Sequence, residues 1–402
     1  GYKVPEKLIV LRNCGVIDPA RISTYLDRDG LKTLKKATDE MTPEEVIGEI
    51  KASGLRGRGG AGFPCGLKWE LARKSPGDEK YIICNADEGE VGTFKDRHIL
   101  EGDPFTLIEA LAIAGYAVGS NRAYIYLRGE YHYLIDLLTK AIGQVKEAGF
   151  LDHFDIEIRE GAGAYVCGEE SALMDSIEGK RGEARFKPPF PPSRGLWQQP
   201  TIINNVETLM NIPQVILNGA QWFNQIGTEK SKGTKVFSVS GDVKRPGVYE
   251  LVLGSSLKEL VEGLALAEKV KMIQIGGATG RVLPYEQIDT PLTFETVLGA
   301  GAMTVFNNSR DIVDVIYQTM GFLAEESCGK CTPCREGTEV MLQTLRRFSR
   351  GAGLEKDVKT LQELSNVMML SSLCGLGQAA PNPVMDSLQY FRSAYDNRML
   401  KD

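Results

Sequence analysis

Cys328, Cys331 and Cys334 stand in a Cys-x2-Cys-x2-Cys run, and the chain returns much later with a fourth cysteine at Cys374. Three closely spaced thiolates clasp three corners of an iron–sulfur cubane while a remote segment closes the fourth. Gly329, Pro333 and Gly375 beside them favour the tight turns this requires. A zinc site of four cysteines typically offers two separate Cys-x2-Cys knuckles, which are absent, so the pattern favours [4Fe–4S] over zinc and over free thiols. The remaining cysteines, Cys14, Cys65, Cys84 and Cys167, are scattered; eight in 402 residues are not a disulfide scaffold. Cys14 reads as packing.

A cluster accepts one electron at a time, and a flavin is the group that splits a hydride into single electrons. The stretch Leu55 to Lys68 suits such a cofactor, with five glycines, two arginines and a lysine in fourteen residues. Glycine amides approach a phosphate closely, and the cations supply charge. Gly57-x-Gly59-x-x-Gly62 has the letters of the dinucleotide fingerprint, which requires a preceding strand. Here Thr42-Pro43-Glu44-Glu45 opens a helix with Val46, Ile47 and Ile50 on one face, so the loop is not an ordinary Rossmann turn.

Downstream, Tyr81 to Cys84 reads as a buried strand running into Asn85-Ala86-Asp87-Glu88-Gly89-Glu90. Asp103-Pro104 caps a helix to about Val118, Ala123 to Leu127 is a strand, and a helix runs from about Tyr131 to Glu147. Phe154 to Ile158 is a third strand, followed by a second glycine-rich turn at Gly161 to Tyr165. Gly168-Glu169-Glu170 opens a helix, and a proline-rich segment, Lys187 to Pro192, precedes a helix beginning near Asn204-Asn205. Strands alternating with helices predict a mainly parallel sheet covered on both faces. Taken singly, Glu169 and Glu170 read equally as first-turn carboxylates, Asn204 as a helix cap, and Phe63 and Phe190 as core.

From about Thr234 the pattern changes to a small α+β unit: strands at Val236–Gly241, Gly247–Glu250, Lys271–Ile275 and Met303–Phe306, and a helix from Ser256. It shows no catalytic constellation. After Ser309 the chain turns helical. The predicted organisation is an N-terminal segment 1–40, with Leu8 to Leu11 as a short strand and no assignable chemistry; an α/β domain 41–230; an α+β domain 234–308; and a helical domain 309–402 holding the cluster.

A net charge of −6 argues against a nucleic-acid binder. No run nears the roughly 18 apolar residues that span a bilayer, and no signal peptide is evident, so a cytoplasmic protein without membrane insertion is expected. The chain begins at Gly1 rather than methionine, consistent with a missing N-terminal segment. His98, His132 and His153 read as surface or packing residues.

Both motifs together resemble the NADH-oxidising flavoprotein subunit of respiratory complex I and its soluble relatives in NAD-linked hydrogenases and formate dehydrogenases, over about residues 31 to 393. The resemblance rests on Gly54 to Pro64, Asn85 to Glu88, Gly161 to Glu170, Asn204 to Thr208 and Ser327 to Arg335. It implies a Rossmann-like FMN and NADH domain, a β-grasp domain and a helical bundle around [4Fe–4S]. FMN would be held by Gly57, Arg58, Gly59 and Gly60, with Lys68 at its phosphate and Asn85, Asp87, Tyr165, Gly168, Asn204 and Asn205 around it. NAD(H) would be placed by Phe63, Glu88, Glu90, Glu169, Glu170, Lys187 and Phe190, with Glu90 and Glu170 as the catalytic carboxylates, and NAD preferred to NADP. The metal ligands would be Cys328, Cys331, Cys334 and Cys374. Cys65 and Trp197 depart from the family pattern. No extra iron–sulfur domain is visible, which favours a simple conduit over electron bifurcation.

The implied function is a diaphorase subunit exchanging hydride between NAD(H) and FMN and passing single electrons onward. The Asn85–Gly92 and Leu100–Pro104 segments lean toward a soluble NAD-dependent [FeFe]-hydrogenase or formate dehydrogenase, with complex I as the alternative. Partners would be a small [2Fe–2S] thioredoxin-like subunit and a large iron–sulfur catalytic subunit. A zinc-stapled nucleotide-binding assembly module is the alternative of a different class.

Overall fold

The first sheet has three strands largely buried on both sides, as a parallel sheet covered by helices demands, and an edge strand that alternates and is partly exposed. In the computed structural model, which describes residues 8–296 and 298–401, these are β1 (Tyr81–Ala86), β2 (Arg122–Leu127), β3 (Asp155–Glu160) and β4 (Thr201–Asn205). All pairs are parallel, in the order β3-β2-β1-β4. Alternation along β1 sends Ile82, Cys84 and Ala86 into a large core and Tyr81 and Ile83 into a smaller one on the opposite face. The large core is centred on the helix Pro104–Val118, whose first turn is capped by Asp103 through the Thr106 amide. The helix Glu170–Ile177 packs on the other face.

Two expectations for local structure are corrected. Leu8 to Leu11 is not a strand: the amides of Ile9, Val10 and Leu11 all converge on the buried Glu250 carboxylate at 3.0–3.1 Å, so they cannot join a ladder. Asn204 does not begin a helix but lies in β4, and the cap is Asn205, whose side chain accepts from the Glu207 amide. The N-terminal residues are part of the first core, where Tyr25, Leu31 and Leu34 pack. Glu109, buried in the central helix, accepts from the Tyr25 hydroxyl and from the amides of Leu31 and Leu34.

A second sheet holds β5 (Thr234–Gly241), β6 (Gly247–Val252), β7 (Val270–Ile275), β8 (Arg281–Pro284) and β9 (Ala302–Asn307), ordered β6-β5-β9-β7-β8. Its β5–β9 pair is parallel and the others antiparallel, around a helical turn at Glu259–Leu264, the mixed arrangement of a β-grasp unit. The C-terminal part is helical, dominated by Ile312–Glu326, Thr332–Ser349, Glu355–Ser371 and Asn382–Tyr390. Met272, Ala278 and Val282 of the second unit belong to the same core as these helices, so the two share a packed boundary. No helix among the described residues is long and apolar enough to cross a membrane.

Candidate functional site

The polar loops gather at the C-terminal ends of β1 and β4, where open α/β sheets bind ligands. The glycine-rich loop follows the helix Pro43–Ser53 and folds back on itself, with the Gly57 amide donating to the Phe63 carbonyl and Arg56 Nε to the Gly62 carbonyl. Arg58 is turned inward. Its guanidinium donates to the carbonyls of Thr234, Arg56 and Lys232, its amide donates to Thr208 Oγ1, and burial brings its pKa down to about 10. What the loop exposes is the Gly59–Gly60 backbone, which passes so near Asn205 that a Cβ on Gly59 would lie 3.0 Å from the Asn205 Cβ.

Lys68, in the next helix, donates to Glu170 Oε1 at 3.0 Å and to the Ile203 carbonyl at 2.8 Å. Lys187 meets Glu169 Oε1 at 3.1 Å and lies 4.0 Å from Glu170, so two lysines flank this carboxylate pair. Glu169 also caps its own helix at the Ser171 and Ala172 amides. Phe63 and Phe190 are 43% and 57% exposed, two apolar rings available to an aromatic ligand, with Lys68 Nζ 6.0 Å from the centre of the Phe63 ring.

Asn85 donates to the Gly168 carbonyl, fixing the second glycine turn against β1. Asp87 is buried, its Oδ2 has no hydrogen-bond partner, and burial pushes its pKa up to about 7. Glu88 points inward, accepting from the Asp96 and Arg97 amides and the Tyr131 hydroxyl, and burial beside Asp96 raises it to about 7. Glu90 accepts from Tyr165 Oη at 2.6 Å and is likewise raised by burial. Asn204 accepts from Trp69 Nε1 at 2.9 Å.

Beneath Asn205 lies a group that sequence reasoning does not single out. Lys95, fully buried, meets Asp96 at 2.9 Å, Glu207 at 3.0 Å and Asn205 Oδ1 at 3.2 Å, and Glu207 meets Lys235 at 2.6 Å. A charged run after Glu90 ordinarily marks a solvated helix face. The one available signal was a lysine, Lys235, at the start of a buried strand.

The four cysteines Cys328, Cys331, Cys334 and Cys374 line one pocket with Val166, Ala184 and Ser327. Cys331 and Cys374 each sit at the N-cap of a helix. Among the described residues no group of three or more His, Cys, Asp or Glu stands in metal-holding geometry; four thiols gathered round one pocket are nonetheless the donor set an iron–sulfur cluster takes. The orphaned Asp87 oxygen and the bare Gly59–Gly60 backbone fit a planar polar cofactor carrying phosphate. The three histidines are exposed, as expected.

Residues 50–214 match the Nuo51 FMN-binding domain, and residues 314–398 match the NADH-ubiquinone oxidoreductase-F iron–sulfur binding region. The chain therefore belongs to the family of NADH-binding flavoprotein subunits that carry FMN and a [4Fe–4S] cluster. Within it, the chain is 45% identical to the NADP-reducing hydrogenase subunit HndC of Solidesulfovibrio fructosivorans, covering 96% of this chain and 82% of that one. It is 43% identical to an F-type NADH-quinone oxidoreductase subunit of Rhizobium meliloti, covering 96% of both. The NAD-reducing hydrogenase HoxS subunit alpha of Cupriavidus necator is 40% identical, with 94% of this chain and 64% of that one matched. The crystal structure of an H2-reduced NAD+-reducing [NiFe]-hydrogenase superposes with a TM-score of 0.89 at 39% identity, over 95% of this chain and 67% of that one. The chain is thus an oxidoreductase subunit of the NADH dehydrogenase type, with FMN, NAD(H) and [4Fe–4S] as its cofactors. The zinc-stapled module falls with the match to the iron–sulfur region.

Proposed function

We propose that this chain is the cytoplasmic diaphorase subunit of a soluble NAD-dependent hydrogenase of the [FeFe] type or of a formate dehydrogenase complex. When bound, FMN exchanges a hydride with NAD(H) and releases electrons singly. In this reading Gly57, Gly59 and Gly60 present backbone to its phosphate, with Lys68 beside it. Arg58 braces the loop, and Asn85, Asp87, Tyr165, Gly168, Asn204 and Asn205 shape the rest of the pocket. Phe63 and Phe190 hold the dinucleotide's rings, Glu88 and Glu169 brace the walls, Lys187 meets its phosphates, and Glu90 and Glu170 face the nicotinamide. A direct hydride transfer would need position more than acid–base chemistry, and position is the main contribution these residues would make.

The observation that supports the reading is the contact between the cysteine pocket and the nucleotide domain. Val166 and Ala184 of the nucleotide domain wall the cysteine pocket, and Cys328 packs on that domain's own core. A cluster held there lies against the flavin domain, as a one-electron conduit requires. Onward transfer needs partners, here a small [2Fe–2S] thioredoxin-like subunit and a large iron–sulfur catalytic subunit in a hetero-oligomer.

Complex I is the second reading, supported by the full-length match to the F-type NADH-quinone oxidoreductase relative. Purifying the native complex and assaying hydrogen- and formate-linked NAD reduction separates the two. Activity with either donor supports the first reading. Neither activity, together with quinone-coupled NADH oxidation in membranes, assigns the chain to complex I.

A further inference from the structure

Glu90 is held by groups from two different parts of the chain. Tyr165 donates its hydroxyl to Oε2 at 2.6 Å, and the backbone N–H of Ala278 donates to Oε1 at 2.8 Å. Ala278 belongs to the turn between β7 and β8, in the β-grasp unit. The turn presses closely on the carboxylate: Gly277 has φ +77°, and a Cβ there would come within 2.2 Å of Glu90 Cγ. Only glycine fits.

The same turn is anchored on helices of the C-terminal domain. Asn382 Nδ2 donates to the Thr279 carbonyl at 3.2 Å, and Arg281, just beyond the turn, makes two bonds to Asp386 at 2.8 and 2.7 Å. Tyr165 reaches the same domain, its amide donating to Glu326 at 3.1 Å and its ring packing edge-on against Phe322.

We infer that the Gly276–Thr279 turn of the β-grasp unit is a wall of the nicotinamide-nucleotide site, a positioning element that fixes the Glu90 carboxylate where the nucleotide meets it. This rests on the reading of Glu90 as a nucleotide-facing carboxylate. A carboxylate already held by an N–H and a hydroxyl gives up its torsional freedom before the ligand arrives, so that cost is not charged to binding. Through Asn382, the orientation of Glu90 is tied to the C-terminal helical domain. The β-grasp unit thereby acquires a part in the site that its own sequence does not reveal.

The test uses the chain loaded with FMN and cluster, oxidising NADH with an artificial one-electron acceptor. Gly277→Ala, Asn382→Ala and Glu90→Gln are compared singly, and each of the first two in the Glu90→Gln background. Loss of a hydrogen bond to a charged group predicts a KM for NADH raised about 10-fold or more in Gly277→Ala, and about 3-fold in Asn382→Ala, where the bond remains but its anchor is gone. FMN content and the reduced cluster's EPR spectrum stay those of the wild type. In the Glu90→Gln background both substitutions lose their effect on KM, whereas a merely structural role adds to it. A wild-type KM in loaded Gly277→Ala, or in Asn382→Ala should the first variant not fold, overturns the inference, and so does full additivity. If Glu90→Gln itself leaves KM unchanged, the reading of Glu90 fails and takes the inference with it.

Discussion

Glu207 and Lys235 form an ion pair at 2.6 Å with both side chains wholly excluded from solvent. The pair ties the short helix behind Asn205 to β5, and so joins the flavin-binding domain to the β-grasp unit directly beneath the site. Lys235 Nζ also reaches the carbonyls of Val236 and Ala300, and Glu207 accepts the Val236 amide, so both charges are fully solvated by protein. Removing Glu207 strands Lys235, whereas Glu207 without Lys235 keeps Lys95 at 3.0 Å. Glu207→Gln should therefore cost about 3–5 kcal/mol, and Lys235→Met less. Thermal unfolding checks this: Glu207→Gln lowers Tm more than Lys235→Met, and the double replacement Glu207→Leu with Lys235→Met lowers it less than the sum of the two.

Asp87 predicts a pH dependence in the FMN-free protein. Its folded pKa of about 7 lies above the ordinary 3.8, because burial disfavours the charged carboxylate. Below about pH 4 both folded and unfolded forms are protonated and this group costs nothing; as pH rises to about 7 the folded form resists ionisation and stability falls. Asp87→Asn abolishes the effect. The variant should match the wild type in Tm below about pH 4 and exceed it near pH 8, by roughly 2–4 kcal/mol in stability. Equal Tm differences at both pH values would remove Asp87 as the source.

Cys331→Ser and Cys374→Ser should each lose or damage the cluster while FMN is retained, since the thiols and the FMN-binding loops stand on different elements. Iron analysis and flavin content of the purified variants measure this. In both variants reduction by NADH stops at the flavin.

Lys187→Ala should weaken NADH rather than FMN. The ammonium stands on the exposed proline-rich segment against Glu169, and its loss removes a cation from a polyanionic ligand and leaves two carboxylates short of a partner. KM for NADH should rise about 10-fold with FMN content unchanged. Release of FMN with unchanged KM contradicts the placement. Wild-type kcat/KM for NADH and NADPH, compared in the same assay, tests the expected preference for NAD.

Much of the architecture was legible because it follows from local pattern. The apolar runs of β1 and β2, the Thr42 and Asp103 caps and the cysteine spacing each specify one arrangement. β4 was missed because Asn204-Asn205 reads as a helix cap, and only the pairing of Asn85 with Asn205 across β1 and β4 shows that the strand continues to that point. Leu8 to Leu11 has strand composition, but its amides are claimed by Glu250, far along the chain. The site residues came from motif, and their orientations did not. Arg58 carries the charge expected of a phosphate ligand and spends it on three carbonyls, two of them in or beside β5 and so out of reach of a reading of the loop alone. The Lys95, Glu207 and Lys235 network was invisible for the same reason: charges far apart in sequence neutralise one another only once the two sheets meet.

The central claim is that a hydride taken from NADH leaves this chain as single electrons through the cluster held by Cys328, Cys331, Cys334 and Cys374. Anaerobic addition of NADH to the FMN- and cluster-loaded chain, followed together by absorbance near roughly 450 nm and by low-temperature EPR, tests it most directly. The account predicts flavin bleaching accompanied by the EPR signal of a reduced [4Fe–4S] cluster, with only the bleaching left in Cys374→Ser. Bleaching of the flavin while the wild-type cluster stays oxidised under excess NADH would contradict it.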